Sequence, residues 1–220
     1  LPTGGNNYQY FDEVLDLLNE CGVHDTTVFN IANGIYDTLL TFPKTIPGMS
    51  STTPITFQSA SGNPADVVLQ QNSTSGLNNY IIEINGAHHM SFRNMTLRAL
   101  GTDYGNCFRI GNNAGFIEIA GNILEGQTTN STSAEMALIR DLSGANDSCL
   151  VIRNNVFNRG SCGIYGEGIG STSLTNAITV ENNQFTDYYY CGIYLSGFKN
   201  VVLSGNNLQT NSAFVSSVAV

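Results

Sequence analysis

Residues 152–157 read IRNNVF, and three other stretches of the chain share this pattern. They are IAGNIL at 119–124, VENNQF at 180–185 and LSGNNL at 203–208, and a fainter copy, FRNMTL at 92–97, has Met95 in the fourth position. The Asn common to the four copies stands at 122, 155, 183 and 206, at spacings of 33, 28 and 23 residues. Periods of about 20 to 50 residues are typical of repeat architectures, in which each repeat is one structural unit stacked on the next.

Apolar and polar residues alternate within these repeats, as they do from Phe116 to Ile119 and from Ile178 to Val180. Alternation with period two is typical of a strand that has one face toward a core and the other toward water. Short strands with Gly and Asn turns, recurring at the length of one coil, therefore predict an all-β solenoid of parallel strands. We expect Asn122, Asn155, Asn183 and Asn206 to form a structural ladder at a bend between strands, where Asn tolerates left-handed backbone geometry and can hydrogen-bond from coil to coil.

A second phrase, CGIY, occurs at 162–165 and again at 191–194, seven or eight residues after the repeated Asn. We interpret it as the second strand of the same coil, with weaker copies around residues 110 and 139. The alternation then predicts that one interior column contains Ile110, Ile139, Ile164 and Ile193.

Together these phrases resemble the right-handed parallel β-helix repeat family, whose pectin-lyase-like fold is shared with pectate lyases and many surface proteins. The stretch VFNIANGIY at 28–36 is similar to the first coil that follows an N-terminal helix in secreted members. The resemblance covers roughly residues 8 to 210 and implies a secreted or cell-surface protein. It implies no catalytic residue, because the repeat motif is structural.

The N-terminal part, residues 1–25, is expected to contain an extended lead-in and one amphipathic helix. Apolar residues at spacings of three and four share one face of that helix, namely Tyr8, Phe11, Val14, Leu15 and Leu18. A helix at this position would cap the open end of the solenoid and cover its apolar interior and unpaired strand edges.

The coils are expected to run over residues 26–212, with loops at 41–54, 126–134 and 166–176. Residues 213–220 are apolar and show no cap. Solenoid ends need capping for solubility. We therefore expect this end to continue into further sequence, to associate end to end with a second copy, or to be covered by a partner.

The charge balance excludes nucleic acid as a partner and also disfavours a membrane. The formal net charge is −9, with 8 Lys plus Arg against 17 Asp plus Glu, and no basic cluster is present for counterion displacement. No run of about 18 apolar residues is present for membrane insertion. The chain has 27 Asn and 39 Ser or Thr, but also 41% hydrophobic residues, which favours stacked, hydrogen-bonded strands around a core over disorder.

Five cysteines in 220 residues do not form a disulfide framework. Cys162 and Cys191 occupy equivalent positions on successive coils, and we interpret them as small buried side chains, with a disulfide as the alternative that their distance permits. His24, His88 and His89 lie far from this pair in the coil order, so no metal or other cofactor is expected.

The best candidate surface follows from the interior column. If the four Ile side chains point inward, their neighbours Gly111, Arg140, Tyr165 and Tyr194 point outward in one row, and Arg109 leads the first of these strands. Aromatic side chains beside Arg suit sugar rings, which offer C–H faces and hydroxyl groups. We therefore predict that a polysaccharide or other glycan is bound by Arg109, Arg140, Tyr165 and Tyr194. The alternative is a solvated strand face whose Tyr rings stack on one another.

An enzyme is the second hypothesis, with Arg140, Asp141 and Glu167 as weak catalytic candidates. Two carboxylates on neighbouring coils would suit a glycoside hydrolase if they lay about 5 to 10 Å apart. A polysaccharide lyase would instead use Arg140 as the base together with Ca²⁺. No motif marks any of these residues, so the prediction remains a glycan-binding, adhesive or structural module, with a spacer or filament subunit as the third hypothesis.

Overall fold

The computed structural model describes residues 7–145, 147–168 and 177–210. In this part of the chain one α-helix is followed by strands that wind through seven successive coils. The helix is α1 (Phe11–Glu20), and three single 3₁₀ turns lie in the connections at Pro64–Asp66, Gly76–Asn78 and Ala134–Met136. The strands, coil by coil, are β1 (Thr27–Ile31), β2 (Gly34–Asp37) and β3 (Leu40–Pro43); β4 (Ile55–Ser59), β5 (Val67–Gln71) and β6 (Ile82–Asn85); β7 (His88–Arg93), β8 (Thr96–Ala99) and β9 (Phe108–Gly111); β10 (Gly115–Ala120), β11 (Ile123–Glu125) and β12 (Ile139–Ala145); β13 (Ser148–Arg153), β14 (Val156–Asn158) and β15 (Cys162–Gly168); β16 (Ala177–Glu181), β17 (Gln184–Thr186) and β18 (Cys191–Ser196); and β19 (Asn200–Ser204) and β20 (Asn207–Gln209).

These strands form three parallel sheets, so the predicted solenoid of parallel strands is confirmed. Sheet A contains the first strand of each coil, sheet B the second and sheet C the third. The CGIY phrase therefore belongs to the third strand of its coil and not to the second. The alternation pattern did not predict the three-residue strand that directly follows each ladder Asn; β14 is an example.

The ladder Asn side chains satisfy the backbone at the corner between sheets A and B. Each Oδ1 accepts a hydrogen bond, at 2.9 to 3.0 Å, from the backbone N–H of the corresponding residue one coil earlier, starting at Met95. Each Nδ2 donates, at 2.7 to 2.9 Å, to a carbonyl oxygen of the sheet A strand one coil earlier; the acceptors are Phe92, Ile119, Ile152 and Val180. The Asn side chain therefore hydrogen-bonds to a backbone N–H and a backbone carbonyl that lose their strand partners where the chain turns.

The left-handed backbone at this corner belongs to the residue before the ladder Asn, and the expectation that the ladder Asn itself would be left-handed is wrong. The φ angles of these preceding residues lie between 54° and 67°; they are Asn94, Gly121, Asn154, Asn182 and Gly205. Only Asn and Gly occur at this position, since both tolerate positive φ.

The core is built from inward-facing columns. In sheet C one column consists of fully buried side chains, namely Leu40, Ile82, Phe108, Ile139, Ile164 and Ile193. Phe108 takes the place that the sequence analysis gave to Ile110, which instead pairs with Asp141. A shift of two residues keeps the same face, so Ile110 is still buried.

The N-terminal helix is present and covers the first coil. Glu13 Oε2 accepts hydrogen bonds from the backbone N–H groups of Gln9 and Tyr10, and Gly22, at φ 67°, ends the helix. Val14 and Leu18 are buried, while Tyr8, Phe11 and Leu15 are half-buried and pack against the core.

The loop predicted at 41–54 begins later than expected, because β3 extends to Pro43; the loop packs against the end of the helix, where Pro47 O accepts a hydrogen bond from Val23 N. The loop predicted at 166–176 begins later than expected, because β15 extends to Gly168; its remainder, like residues 213–220, lies outside the described residues. Covering of the C-terminal end therefore remains a prediction.

Replacement of Asn155 by Ala is expected to lower the free energy of unfolding by about 1 to 3 kcal/mol, because the N–H of Asn122 and the carbonyl of Ile119 lose their buried partner. Urea denaturation of the two proteins measures this difference. The matched control is Asn154→Gly, which keeps a residue that tolerates positive φ and leaves the ladder intact. Equal unfolding midpoints for Asn155→Ala and the parent chain would contradict the ladder's role.

Deletion of residues 1–22 is expected to make the protein associate, because it uncovers the apolar residues of the first coil that α1 now covers. Size-exclusion chromatography and the melting temperature measure the effect. A truncated protein that stays monomeric with an unchanged melting temperature would show that α1 is not a cap.

Candidate functional site

The outer face of sheet C carries one row of polar and aromatic side chains that crosses five coils. In Cα register the row consists of Glu83, Arg109, Arg140, Tyr165 and Tyr194, one residue each on β6, β9, β12, β15 and β18. At about 4.8 Å per strand, four intervals give a row about 19 Å long. The sequence predicted Gly111 at the position that Arg109 occupies. The reason is the two-residue difference in register that also replaces Ile110 by Phe108 in the interior column.

Arg109 anchors a loop at the N-terminal end of this row. Its guanidinium donates to Glu83 Oε1, at 2.8 Å from Nε, and to the carbonyl oxygens of Gly76 and Leu77 at 2.9 and 3.0 Å. Its carbon Cζ lies 4.3 Å from the ring centroid of Tyr80, and only 13% of the side chain is exposed. This arrangement favours an anchoring role for Arg109 over ligand contact.

Arg140 occupies the middle of the row and is more accessible. Its Nη1 donates to Glu135 Oε1, and the side chain is 25% exposed. Glu135 is itself held by Asn79, whose Nδ2 donates to Oε2 at 2.8 Å. Within the described part of the chain, Nε and Nη2 of Arg140 have no hydrogen-bond acceptor. These N–H groups can donate to a ligand.

Tyr165 and Tyr194 stack on each other at the C-terminal end of the row. Their ring centroids are 4.6 Å apart with 16° between the planes, so each ring covers a face of the other, and both side chains are half-buried. Tyr165 Oη donates to Glu167 Oε1 at 3.2 Å. Burial, followed by the charge of Glu167, raises the pKa of Tyr165 to about 12, so the phenol keeps its proton at neutral pH.

A disulfide between Cys162 and Cys191 lies beside these rings, where the sequence analysis preferred two unbonded side chains. The Cα atoms are 4.6 Å apart, and the sulfurs pack with Ala137 and the rings of Tyr165, Tyr190 and Tyr194. The residue after Cys162 is Gly163, and a larger residue would not fit there. A Cβ atom at this position would lie 2.4 Å from the buried ring of Phe185.

The three catalytic candidates do not share one face of sheet C. Alternation along β12 points Ile139 inward, Arg140 outward and Asp141 inward, and Asp141 is only 4% exposed. Glu167 belongs to the outer surface near Tyr165. The backbone between the two carboxyl groups therefore prevents them from acting together on one bond.

Asp141 instead forms a buried acid pair with Asp147, which lies at the turn between β12 and β13. Asp147 Oδ1 accepts from the backbone N–H of Ala114 at 2.5 Å, whereas Oδ2 and both oxygens of Asp141 have no hydrogen-bond donor among the residues that the structure describes. Burial, together with the charge of Asp147, raises the pKa of Asp141 well above its ordinary range, and burial also raises the pKa of Asp147. One proton shared between the two carboxyl groups would satisfy both.

No protein-family model and no curated protein matches this chain. Among solved structures, the crystal structure of the pectin methylesterase from Aspergillus niger, in its penultimately deglycosylated form, superposes with a TM-score of 0.54. The superposition covers 96% of this chain and 85% of that chain. The fold is a right-handed parallel β-helix. At 11% sequence identity the likeness establishes this architecture alone.

Several residues of the β-helix that matter to its surface carry no signal in the sequence. Glu83, Tyr80 and Glu135 stand outside the repeated phrases; Glu83 belongs to the row on β6, whereas Tyr80 and Glu135 reach the row from the connections before β6 and β12. Asp147 occupies the corner position that Ala87 and Ala114 fill in the two preceding coils. An acidic residue in place of a small one is the sequence signal that could have pointed to the buried carboxyl group. Among the described residues of the β-helix, no three His, Cys, Asp or Glu side chains are grouped as metal ligands.

The acid pair makes a prediction about pH. Both pKa values are higher in the folded β-helix than in the unfolded chain, so the pair's contribution to stability is full below the unfolded values, near pH 4, and is lost as the pH rises through the folded values. Asp141→Asn removes one carboxyl group and supplies an N–H donor for Asp147. We expect this variant to be more stable than the parent at pH 8, by about 1 kcal/mol or more, and to show a flatter stability profile from pH 4 to 8.

Urea denaturation at several pH values measures both profiles. Asp103→Asn, on an exposed loop, is the control for the loss of one surface charge. If Asp141→Asn were less stable than the parent at pH 8, the two carboxyl groups would not be an electrostatic burden on the fold.

Proposed function

We propose that this protein is a secreted or cell-surface module that binds a glycan along the outer row of sheet C. The observation that carries the proposal is the row itself, because it places one side chain per coil along the axis of the solenoid. A linear polysaccharide laid along this axis would meet Arg140, Tyr165 and Tyr194 in succession. Such a surface suits an adhesive function as well as simple binding.

The contacts of the row favour hydrogen bonding over stacking. Tyr165 and Tyr194 each have one face covered by the other ring, so the pair offers a sugar mainly edges and hydroxyl groups. Arg140 adds N–H donors, and Glu167 adds a carboxylate that accepts from sugar hydroxyl groups. Sugar hydroxyl groups both donate and accept, which matches this mixture.

The charges of the row favour a neutral glycan. Arg109 is neutralised by Glu83 and Arg140 by Glu135, which leaves the carboxylate of Glu167 without a cation among the described contacts. The whole chain carries a formal net charge of −9. An acidic polysaccharide would be repelled by both.

Secretion is supported by the disulfide, because disulfides form and persist in oxidising compartments. The fold is similar to that of a pectin methylesterase, whose name refers to a polysaccharide, and this similarity is consistent with a carbohydrate ligand. In the described part of the chain, no helix is long and apolar enough to cross a membrane.

The test is binding of the intact chain to an array of neutral and acidic glycans. We expect binding to neutral polysaccharides, weakened at least tenfold in the double variant Tyr165→Ala/Tyr194→Ala. The control is Tyr10→Ala, which removes an exposed ring at the start of α1, beside the first coil and not beside the coils that carry Tyr165 and Tyr194. Tyr165→Phe and Tyr194→Phe keep the stacking beside the disulfide and remove the hydroxyl groups alone, so they separate lost contacts from lost stability.

No binding to any glycan on the array would overturn the proposal, as would equal losses from the Tyr10 and row variants. The spacer hypothesis would then be preferred. The exposed apolar residues Val201, Val202 and Leu203 on β19, the last described strand of sheet A, favour it as a second candidate. Analytical ultracentrifugation over a range of concentrations would detect the end-to-end association that it requires.

A further inference from the structure

Two polar side chains, those of His88 and Ser148, meet over a glycine at the corner between sheets C and A, away from the outer row of sheet C. His88, Gly115 and Ser148 are the first residues of β7, β10 and β13, and they lie side by side in Cα register. A Cβ atom on Gly115 would be 2.9 Å from His88 Nδ1 and 3.0 Å from Ser148 Oγ. The imidazole and the hydroxyl group therefore lean from two sides over the space that the glycine leaves.

Neither side chain uses its polar atoms within the protein. Among the described residues, His88 Nδ1 and Ser148 Oγ form no hydrogen bond with one another or with any other group. Both side chains are half-buried, so water and small solutes reach them. Their hydrogen-bonding capacity is available to a ligand seated over Gly115.

A third polar residue, Lys44, follows β3 at the same corner and supplies positive charge; its Cβ and Cγ lie 3.0 and 3.3 Å from where a Cβ on Gly86 would be. Five arginines of the chain form ion pairs, whereas Lys44 has no carboxylate partner in the described part of the chain. Burial and the charge of Lys44 lower the pKa of His88, so its imidazole is neutral at pH 7. The other titratable groups at this corner are His89, whose ring stacks on Phe116, and Asp147, whose carboxyl group is buried with Asp141.

We propose that the space over Gly115 is a binding site for a small oxyanion, held by the Lys44 ammonium, the Ser148 hydroxyl and the His88 imidazole. All three can donate to an oxyanion, His88 with its proton on Nδ1. The ligand is a sulfate or phosphate ion, or the carboxylate of an acidic sugar, since these share the same oxygen chemistry. The site is separate from the row on sheet C and does not depend on glycan binding there.

The experiment follows the His88 side-chain resonances by NMR over a pH titration, with and without sodium sulfate or sodium glucuronate. A bound anion stabilises the imidazolium form, so the pKa of His88 is expected to rise, and to rise more than that of His89. Salt alone screens Lys44 and would also raise this pKa, so sodium chloride at equal ionic strength is the reference. A shift with sulfate alone indicates an inorganic ion as the ligand, and a shift with glucuronate alone indicates an acidic sugar; either result supports the site.

Gly115→Ala is the sharpest variant, because it fills the space with one methyl group at a position that needs no positive φ. It is expected to weaken anion binding at least tenfold, and Lys44→Gln is expected to weaken it severalfold. Lys199→Gln, on another turn, is the matched charge control. If Gly115→Ala fails to fold, Ser148→Ala removes one donor without adding an atom and is expected to weaken binding severalfold.

Two results would overturn the proposal. One is a His88 pKa that moves no further with sulfate and glucuronate than with chloride. The other is an anion-induced shift that persists unchanged in Gly115→Ala, or in Ser148→Ala where that variant replaces it.

Discussion

The turn between sheets A and B interrupts the pairing of the strands, because the backbone N–H at the ladder position has no carbonyl partner in the neighbouring coil. In the described coils from β10 onward, an Asn side chain takes the place of that partner, accepting from one backbone N–H and donating to one carbonyl of the coil before. Buried backbone groups left without such bonds would cost about 1 to 3 kcal/mol each. The Asn ladder therefore fixes the position of each turn relative to the one before, and every strand that leaves the corner inherits that register.

The register then decides which chemistry reaches the surface. Along β12 the alternation places Arg140 outside and Asp141 inside, although the two are neighbours in sequence. The same alternation aligns Arg140 with Tyr165 and Tyr194 on the next two coils. Successive residues of a strand thus alternate between the surface and the interior. A carboxylate beside a functional side chain in the sequence can lie on the opposite face of the sheet.

The architecture and the ladder were predictable because both depend on local, repeated features. Alternation gave the strands, and the recurring Asn gave the corner, since each copy needs the same turn. The exact pairing within sheet C was not predictable: Arg109 and Gly111 both lie on the same face of β9, and a register shift of two residues leaves the hydrophobic pattern unchanged. The partners of the row, such as Tyr80 and Glu135, come from loops of irregular length. The Asp141–Asp147 pair and the cluster of His88 and Ser148 over Gly115 are formed by residues that stacking brings together. The sequence of a single repeat does not show them.

The disulfide gives the solenoid a mechanical boundary. Because each coil contacts only its neighbours, a stack of this kind can be peeled open from one end, coil by coil, under a pulling force. The covalent bond between Cys162 and Cys191 joins β15 to β18 on adjacent coils, at a sequence separation of 29, so the chain between the two cysteines cannot be drawn out when peeling reaches this point. Force applied from the C-terminal side passes directly from the last of these coils to the one before it. Tyr165 lies within this closed segment and is protected from extension, whereas Tyr194 follows Cys191 and is drawn out before the force reaches the disulfide.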